Sequence, residues 1–257
     1  MAKLQDRVAL ITGGARGQGA SEGRLFVAEG ATVVLADVLD EEGERTAAEA
    51  GAEYAHLDVA SEEGWDAVVA DVVARHGRLD VLVNNAGILR ASQLVNQSLE
   101  EWNLVVAINQ TGVFLGMRAA ARAMVAAGNG GSIVNIASVA ATIAFPGIGI
   151  YSGTKSAVER MTKVAAMEAG KLGYGVRVNC IFPGLVPTAM GAGLANDVAE
   201  LGLFASPEAA VGAVVELTPA GRLGAVDDMA DAVVFLASDA SRFVTGAGLP
   251  VDGGMGM

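Results

Sequence analysis

Tyr151 and Lys155 stand four residues apart in a chain of 257 residues. The spacing of Val158, Met161, Thr162 and Ala165 predicts a helix over roughly residues 152–169, and on a helix side chains at i and i+4 share one face. A free phenol titrates near ~10, so acid–base work near neutrality asks for roughly 4 kcal/mol of phenolate stabilisation. An ammonium group one helical turn away is a source of that field. Ser138, thirteen residues before Tyr151, closes a β-branched run and adds a hydroxyl. Asn109 interrupts the apolar segment of Val105, Val106, Ile108, Val113 and Phe114, where an amide is costly unless it is hydrogen-bonded. Together these groups suit proton transfer at a carbonyl or alcohol oxygen.

A second constellation lies near the N-terminus. Residues 12–19 read TGGARGQG, directly after an apolar run and before an amphipathic segment. Gly13, Gly17 and Gly19 permit a tight turn and a close backbone approach, while Arg16 and Gln18 stand between them. A helix opening here aims its free amides at a diphosphate. Asp37 follows eighteen residues after Gly19, where the adenosine ribose of a dinucleotide is expected. Its carboxylate suits ribose hydroxyls and repels a 2′-phosphate at a cost of order a few kcal/mol. Arg16 pulls the other way, and Val38 offers a phosphate nothing. The balance favours NAD over NADP.

These groups need elements that bring them together. Short runs at residues 8–11, 32–36, 54–57, 81–83, 132–136 and 176–182 read as strands, with helical periodicity between them, as at Trp65, Val68, Val69, Val72 and Val73. Continuous apolar strands alternating with helices predict an α/β fold. The expected form is one Rossmann-type domain over residues 1–257, a doubly wound parallel sheet with helices on both faces. Residues 1–140 would mainly hold the cofactor, and 138–225 the catalytic groups and a lid. Ligands in such sheets bind beyond the carboxyl ends of the strands, where Asp37, Asp58, Asn84, Ser138 and Pro183 fall.

Composition excludes several classes. Hydrophobic residues form 52% of the chain and charged ones 18%, too apolar for disorder. Lys and Arg number 17 against 29 Asp and Glu; the net charge of −12 disfavours nucleic acid, anionic lipid and acidic carrier proteins. One cysteine and two histidines can build neither an internal disulfide nor a structural zinc site, so no metal is expected. The start lacks a signal-peptide core, and the charge-free stretch 123–154 is broken by Asn129, Gly130, Gly131, Asn135 and Pro146. The expectation is a cytoplasmic protein with no membrane span. Cys180, His56, His76, Trp65 and Trp102 are read as scaffold.

In order and spacing, the chain resembles the classical short-chain dehydrogenases/reductases over essentially its whole length. The resemblance rests on TGxxxGxG at 12–19, Asp58-Val59, NNAG at 84–87, Asn109, Ser138 and YxxxK at 151–155, with Pro183-Gly184 and VDGG at 251–254. Gln18 departs from the family's usual Ile or Leu. The resemblance implies an enzyme interconverting a secondary alcohol and a ketone. Tyr151 would be general acid or base, Lys155 would lower its pKa and hold the nicotinamide ribose, Ser138 would bind the substrate oxygen, and Asn109 would anchor a relay water. Asp58 and Val59 would frame the adenine; Asn85, Ala86 and Gly87 would line the cofactor; Pro183, Gly184, Val186 and Thr188 would meet the nicotinamide.

Leu89, Val139, Ala140, Phe145, Ile148, Met190 and Leu194 form the expected substrate pocket, in part from a lid over 185–206. That segment has no Lys or Arg, which suggests a bulky neutral substrate, although Arg90 lies close by. Stretches such as ITGGARG and VTGAGLPVDGG are similar to those of bacterial 3α/20β-hydroxysteroid dehydrogenases within the family. The resemblance also implies a homotetramer. The alternatives are an NADPH-dependent 3-oxoacyl-carrier-protein reductase, and a non-catalytic NAD-binding regulator.

Overall fold

The computed structural model describes residues 2–257. Seven parallel strands form one sheet: β1 (Val8–Thr12), β2 (Thr32–Asp37), β3 (Glu53–His56), β4 (Val81–Asn84), β5 (Gly131–Ile136), β6 (Val176–Pro183) and β7 (Gly248–Val251), ordered β3-β2-β1-β4-β5-β6-β7. The helices are α1 (Gly17–Ala28), α2 (Asp40–Ala50), α3 (Glu62–His76), α4 (Leu99–Val106), α5 (Gly112–Ala127), α6 (Gly149–Lys171), α7 (Ala189–Glu200), α8 (Pro207–Glu216) and α9 (Val226–Ala237). The expected doubly wound Rossmann sheet is present. β7 was not anticipated, since GLPV carries a proline and too little periodicity to mark a strand.

Each face of the sheet carries its own apolar layer. Val8, Leu10, Val34, Leu82 and Ile133 pack under α3 and α5; Ala9, Ile11, Val33, Val81 and Val134 pack under α1 and α9. Strand residues therefore alternate between two cores, so their sequence reads as a continuous apolar run.

Strand order reverses between β1 and β4, opening a crevice at their carboxyl ends. Thr12 Oγ1 accepts the Asn85 and Ala86 N–H groups, both at 3.1 Å. Asn85 Nδ2 returns bonds to the Thr12 and Gly13 carbonyls at 2.9 and 3.2 Å. One strand further, buried Asn84 donates to Asn135 across the β4–β5 register at 2.8 Å, and Asn135 donates to Thr162 on α6 at 2.9 Å. This polar seam through the core fixes the floor of the crevice against α6, which carries Tyr151 and Lys155.

α4 and α5 are joined by a single π turn, Ala107–Thr111, so that residues 99–127 run as one helix. This stretch, rather than 123–154, is long and apolar enough by length and composition to cross a membrane; half of its most apolar window is buried in the fold.

Candidate active site

A cavity of about 960 Å³ runs along the carboxyl ends of the strands, from Asp37 past Gly17 and Tyr151 to α7 and α8. Among the candidate residues, Gly19 and Asn109 alone do not line it. They stand behind the wall: a Cβ on Gly19 would lie 2.3 Å from the Gly13 carbonyl oxygen, so glycine there closes the turn on itself.

α1 begins at Gly17 with no side chain capping its first amides. Gly17 has φ +60°, which favours glycine, and a Cβ there would meet only the Thr188 side chain at 3.6 Å. Free amides facing an open crevice are the arrangement that accepts a diphosphate, so these residues fit a dinucleotide. Asp37 ends β2 with its carboxylate held by three backbone N–H groups, those of Val38 at 2.8 Å, Ala15 at 3.1 Å and Leu39 at 3.2 Å. Arg16, left ambiguous by sequence, lies near Glu42 of α2, with Nη1 to Oε2 at 3.8 Å.

At the other end of the crevice, α6 starts three residues earlier than its periodicity predicts, at Gly149. A bridge between Ser92 and Ile148 stands just before that start, with the Ser92 N–H bonded to the Gly147 carbonyl at 2.7 Å. Tyr151 therefore sits in the first turn of α6, beside the loop that follows β4. Ser138 lies two residues past β5; its Oγ accepts the Ala140 N–H at 3.1 Å, and its hydroxyl is close enough to the Tyr151 phenol to act on its pKa. Burial pushes the Tyr151 pKa up, and the neighbouring Ser138 hydroxyl works against that rise.

Lys155 is buried, and its Nζ donates to the Ile136 carbonyl at 2.6 Å. Burial lowers its pKa to about 8. Nζ stands 5.6 Å from the centre of the Tyr151 ring. Ser138 is the neighbour that opposes the rise of the phenol pKa.

Asn109 makes three hydrogen bonds within the fold. It sits in the π turn, fully buried, not mid-way along a regular α-helix. Its Oδ1 accepts the Ile88 N–H at 2.9 Å, while Nδ2 donates to the Ile88 carbonyl at 2.8 Å and to Thr154 Oγ1 at 3.4 Å. The side chain thus clamps the loop after β4, a task sequence reading did not assign to it. Gly87 in that loop is a close approach; a Cβ would lie 3.4 Å from Asn109 Oδ1 and 3.6 Å from Lys155 Nζ.

The remaining wall is apolar. Leu89, Val139, Ala140, Phe145, Ile148, Met190 and Leu194 all line it. The expected pocket residues did not include Val211, Val214 and Leu217 of the α8 region, or Met255 from the C-terminal tail, which also line the cavity. The alternation of α8 gives no local sign that its apolar side faces a cavity.

A family model described as enoyl-(acyl carrier protein) reductase, one branch of the short-chain dehydrogenases/reductases, matches residues 13–256. The chain belongs to the short-chain dehydrogenase/reductase family. It is 41% identical to a trans-4-hydroxycyclohexanecarboxylate dehydrogenase of Sinomonas cyclohexanicum, over 98% of this chain and 93% of that one. It is 44% identical to a 3-alpha-(or 20-beta)-hydroxysteroid dehydrogenase of Mycobacterium tuberculosis, over 98% and 90%. Among solved structures, NAD+-bound xylitol dehydrogenase superposes with a TM-score of 0.93 at 32% identity, covering 98% of this chain and 100% of that one. A gluconate 5-dehydrogenase from Burkholderia cenocepacia J2315 in complex with NADP and tartrate gives 0.87 at 38%, covering 98% and 96%. As a short-chain dehydrogenase/reductase the chain is an oxidoreductase with a nicotinamide cofactor, and its relatives act on cyclic alcohols and steroids.

Proposed function

We propose that the protein is an NAD(H)-dependent oxidoreductase interconverting a secondary alcohol and a ketone on a bulky, largely neutral ring. The observation that carries this is the single cavity with Asp37 at one end, Tyr151 and Ser138 on its wall, and an apolar lid at the other. The nicotinamide supplies the hydride donor or acceptor. Ser138 holds the substrate oxygen, and Tyr151 moves the proton to or from it. Lys155, pinned to Ile136, would hold the nicotinamide ribose, and Asn109 positions the loop of Ala86 and Gly87 that would line the cofactor. Asp58 and Val59 would frame the adenine, and Thr188, which caps α7 through the Gly191 N–H, would bind the carboxamide.

Asp37 supports NAD because its fixed carboxylate suits ribose hydroxyls and opposes a 2′-phosphate. The relatives named for a cyclohexane ring and for steroids support a ring substrate. Exposed Trp102, Leu104, Phe114, Val164 and Met167 on α4, α5 and α6 support a homo-oligomer, for which a tetramer is the proposed form.

The test is the initial rate with NADH and with NADPH across a steroid, a cyclohexanone, an aryl ketone and an acetoacetyl thioester. Turnover of ring ketones with NADH is the expected result. Preference for the thioester with NADPH would replace this reading with the carrier-protein one.

A further inference from the structure

Arg16 is the one basic group in the diphosphate turn, and in principle it is a partner for a 2′-phosphate. Its direction is not free. The residue before it, Ala15, is buried and gripped at both backbone groups: its N–H by the Asp37 carboxylate at 3.1 Å and its carbonyl by the Thr46 hydroxyl at 2.7 Å. Thr46 and Glu42 lie one turn apart on α2, so the same helix face that grips Ala15 also offers a carboxylate to Arg16, at 3.8 Å. The other cation lining this part of the cavity, Arg24, stands two turns further along α1.

We propose that Glu42 is a positioning residue for cofactor selectivity: it draws the Arg16 guanidinium toward α2, so that the basic group of the turn is withheld from a 2′-phosphate. Selection against NADP then has two layers. Asp37 repels the phosphate directly, and Glu42 removes its nearest counter-charge. This rests on the NAD reading above. The pair is exposed at both ends, with 62% of the Arg16 side chain and 41% of the Glu42 side chain accessible, so its own strength is modest and salt-dependent.

The experiment is the ratio of kcat/KM with NADP to that with NAD, measured on the full chain for the wild type, Glu42→Gln, Glu42→Lys, Arg16→Ala and the Arg16→Ala/Glu42→Gln double variant. Glu42→Gln is expected to raise the ratio about threefold, on the scale of an exposed ion pair, and Glu42→Lys about tenfold because the charge change doubles. The gain should vanish in the Arg16→Ala background and shrink at high salt. A ratio that stays fixed in both Glu42 variants, or a gain that survives without Arg16, overturns the proposal. A wild type that prefers NADP overturns the NAD reading itself, whatever Glu42 does. A structural role for Glu42 would move both cofactors together and leave the ratio alone.

Discussion

The two ends of the cavity are built by different forces. At the cofactor end, backbone and side-chain polar groups hold each other in defined pairs: Thr12 with Asn85 and Ala86, Asp37 with three amides, Thr46 with Ala15. At the substrate end the wall is Phe145, Met190, Leu194, Val214 and their neighbours, placed by packing alone. Hydrogen bonds are directional and tolerate few alternative residues, whereas apolar packing accepts many combinations of similar volume. One end of the enzyme is therefore specified by identity, and the other by shape.

The largest test of that contrast acts where the two ends meet. With Tyr151 as the proposed proton donor, Tyr151→Phe should lower kcat by roughly 10²–10⁴-fold, while NADH binding followed by fluorescence is retained. Turnover that survives would remove Tyr151 from the proton transfer, whereas an unchanged cellular role in the inactive variant would make the chain a cofactor-binding regulator. The pH dependence has a fixed sign: oxidation of an alcohol needs the phenolate, and burial holds the Tyr151 pKa above its ordinary value. Oxidation should therefore climb with pH through the alkaline range and ketone reduction should fall. Next in size is Asp37→Asn, which keeps an oxygen for the Val38 and Leu39 amides but removes the charge. The NADP/NAD ratio of kcat/KM should rise about 30-fold, equivalent to about 2 kcal/mol of relieved repulsion. An unmoved ratio would show that the cofactor end does not select through this carboxylate.

Much of the cofactor end was legible in the sequence because a glycine turn, an acid after a strand and an NNAG segment each carry a backbone reason. Tyr151, Lys155 and Ser138 were legible for the same reason, through helix spacing and strand ends. What escaped reading depends on long-range contacts. The Asn84–Asn135–Thr162 seam joins three elements, the Ser92–Ile148 bridge ties the loop after β4 to the start of α6, and the π turn at Asn109 has no local signature. Val214 and Met255 meet the cavity only because α8 and the C-terminal tail fold back over it.

Glu22 breaks the pattern of the cofactor end. It is fully buried on α1, which packs against α9, yet neither carboxyl oxygen has a partner among the described residues. Burial raises its pKa from 4.5 to about 8. The folded state thus keeps a proton that the unfolded chain releases above 4.5, and stability should fall as pH rises from there toward 8, then level off. The slope over that window is about 1.4 kcal/mol per pH unit. Glu22→Gln should flatten it in denaturant titrations across pH. An unchanged slope would mean that Glu22 finds a polar partner after all, and that the cofactor end has no exception.

The smallest effect belongs to the substrate end. Met190 opens the first turn of α7 on the cavity wall and is 40% exposed, so truncation loses only part of a buried side chain's contribution. Its flexible thioether also lets neighbouring groups close part of the gap. Met190→Ala should therefore raise KM for a bulky ring ketone about threefold to fivefold, roughly 1 kcal/mol, and change small ketones less. The dissociation constant for NADH should stay within twofold, because no polar contact of the glycine turn passes through Met190. The two constants together decide the matter. If NADH binding weakens as much as ketone binding, α7 is part of the cofactor clamp through Thr188, and the division between an end held by hydrogen bonds and an end held by packing must be redrawn inside the lid.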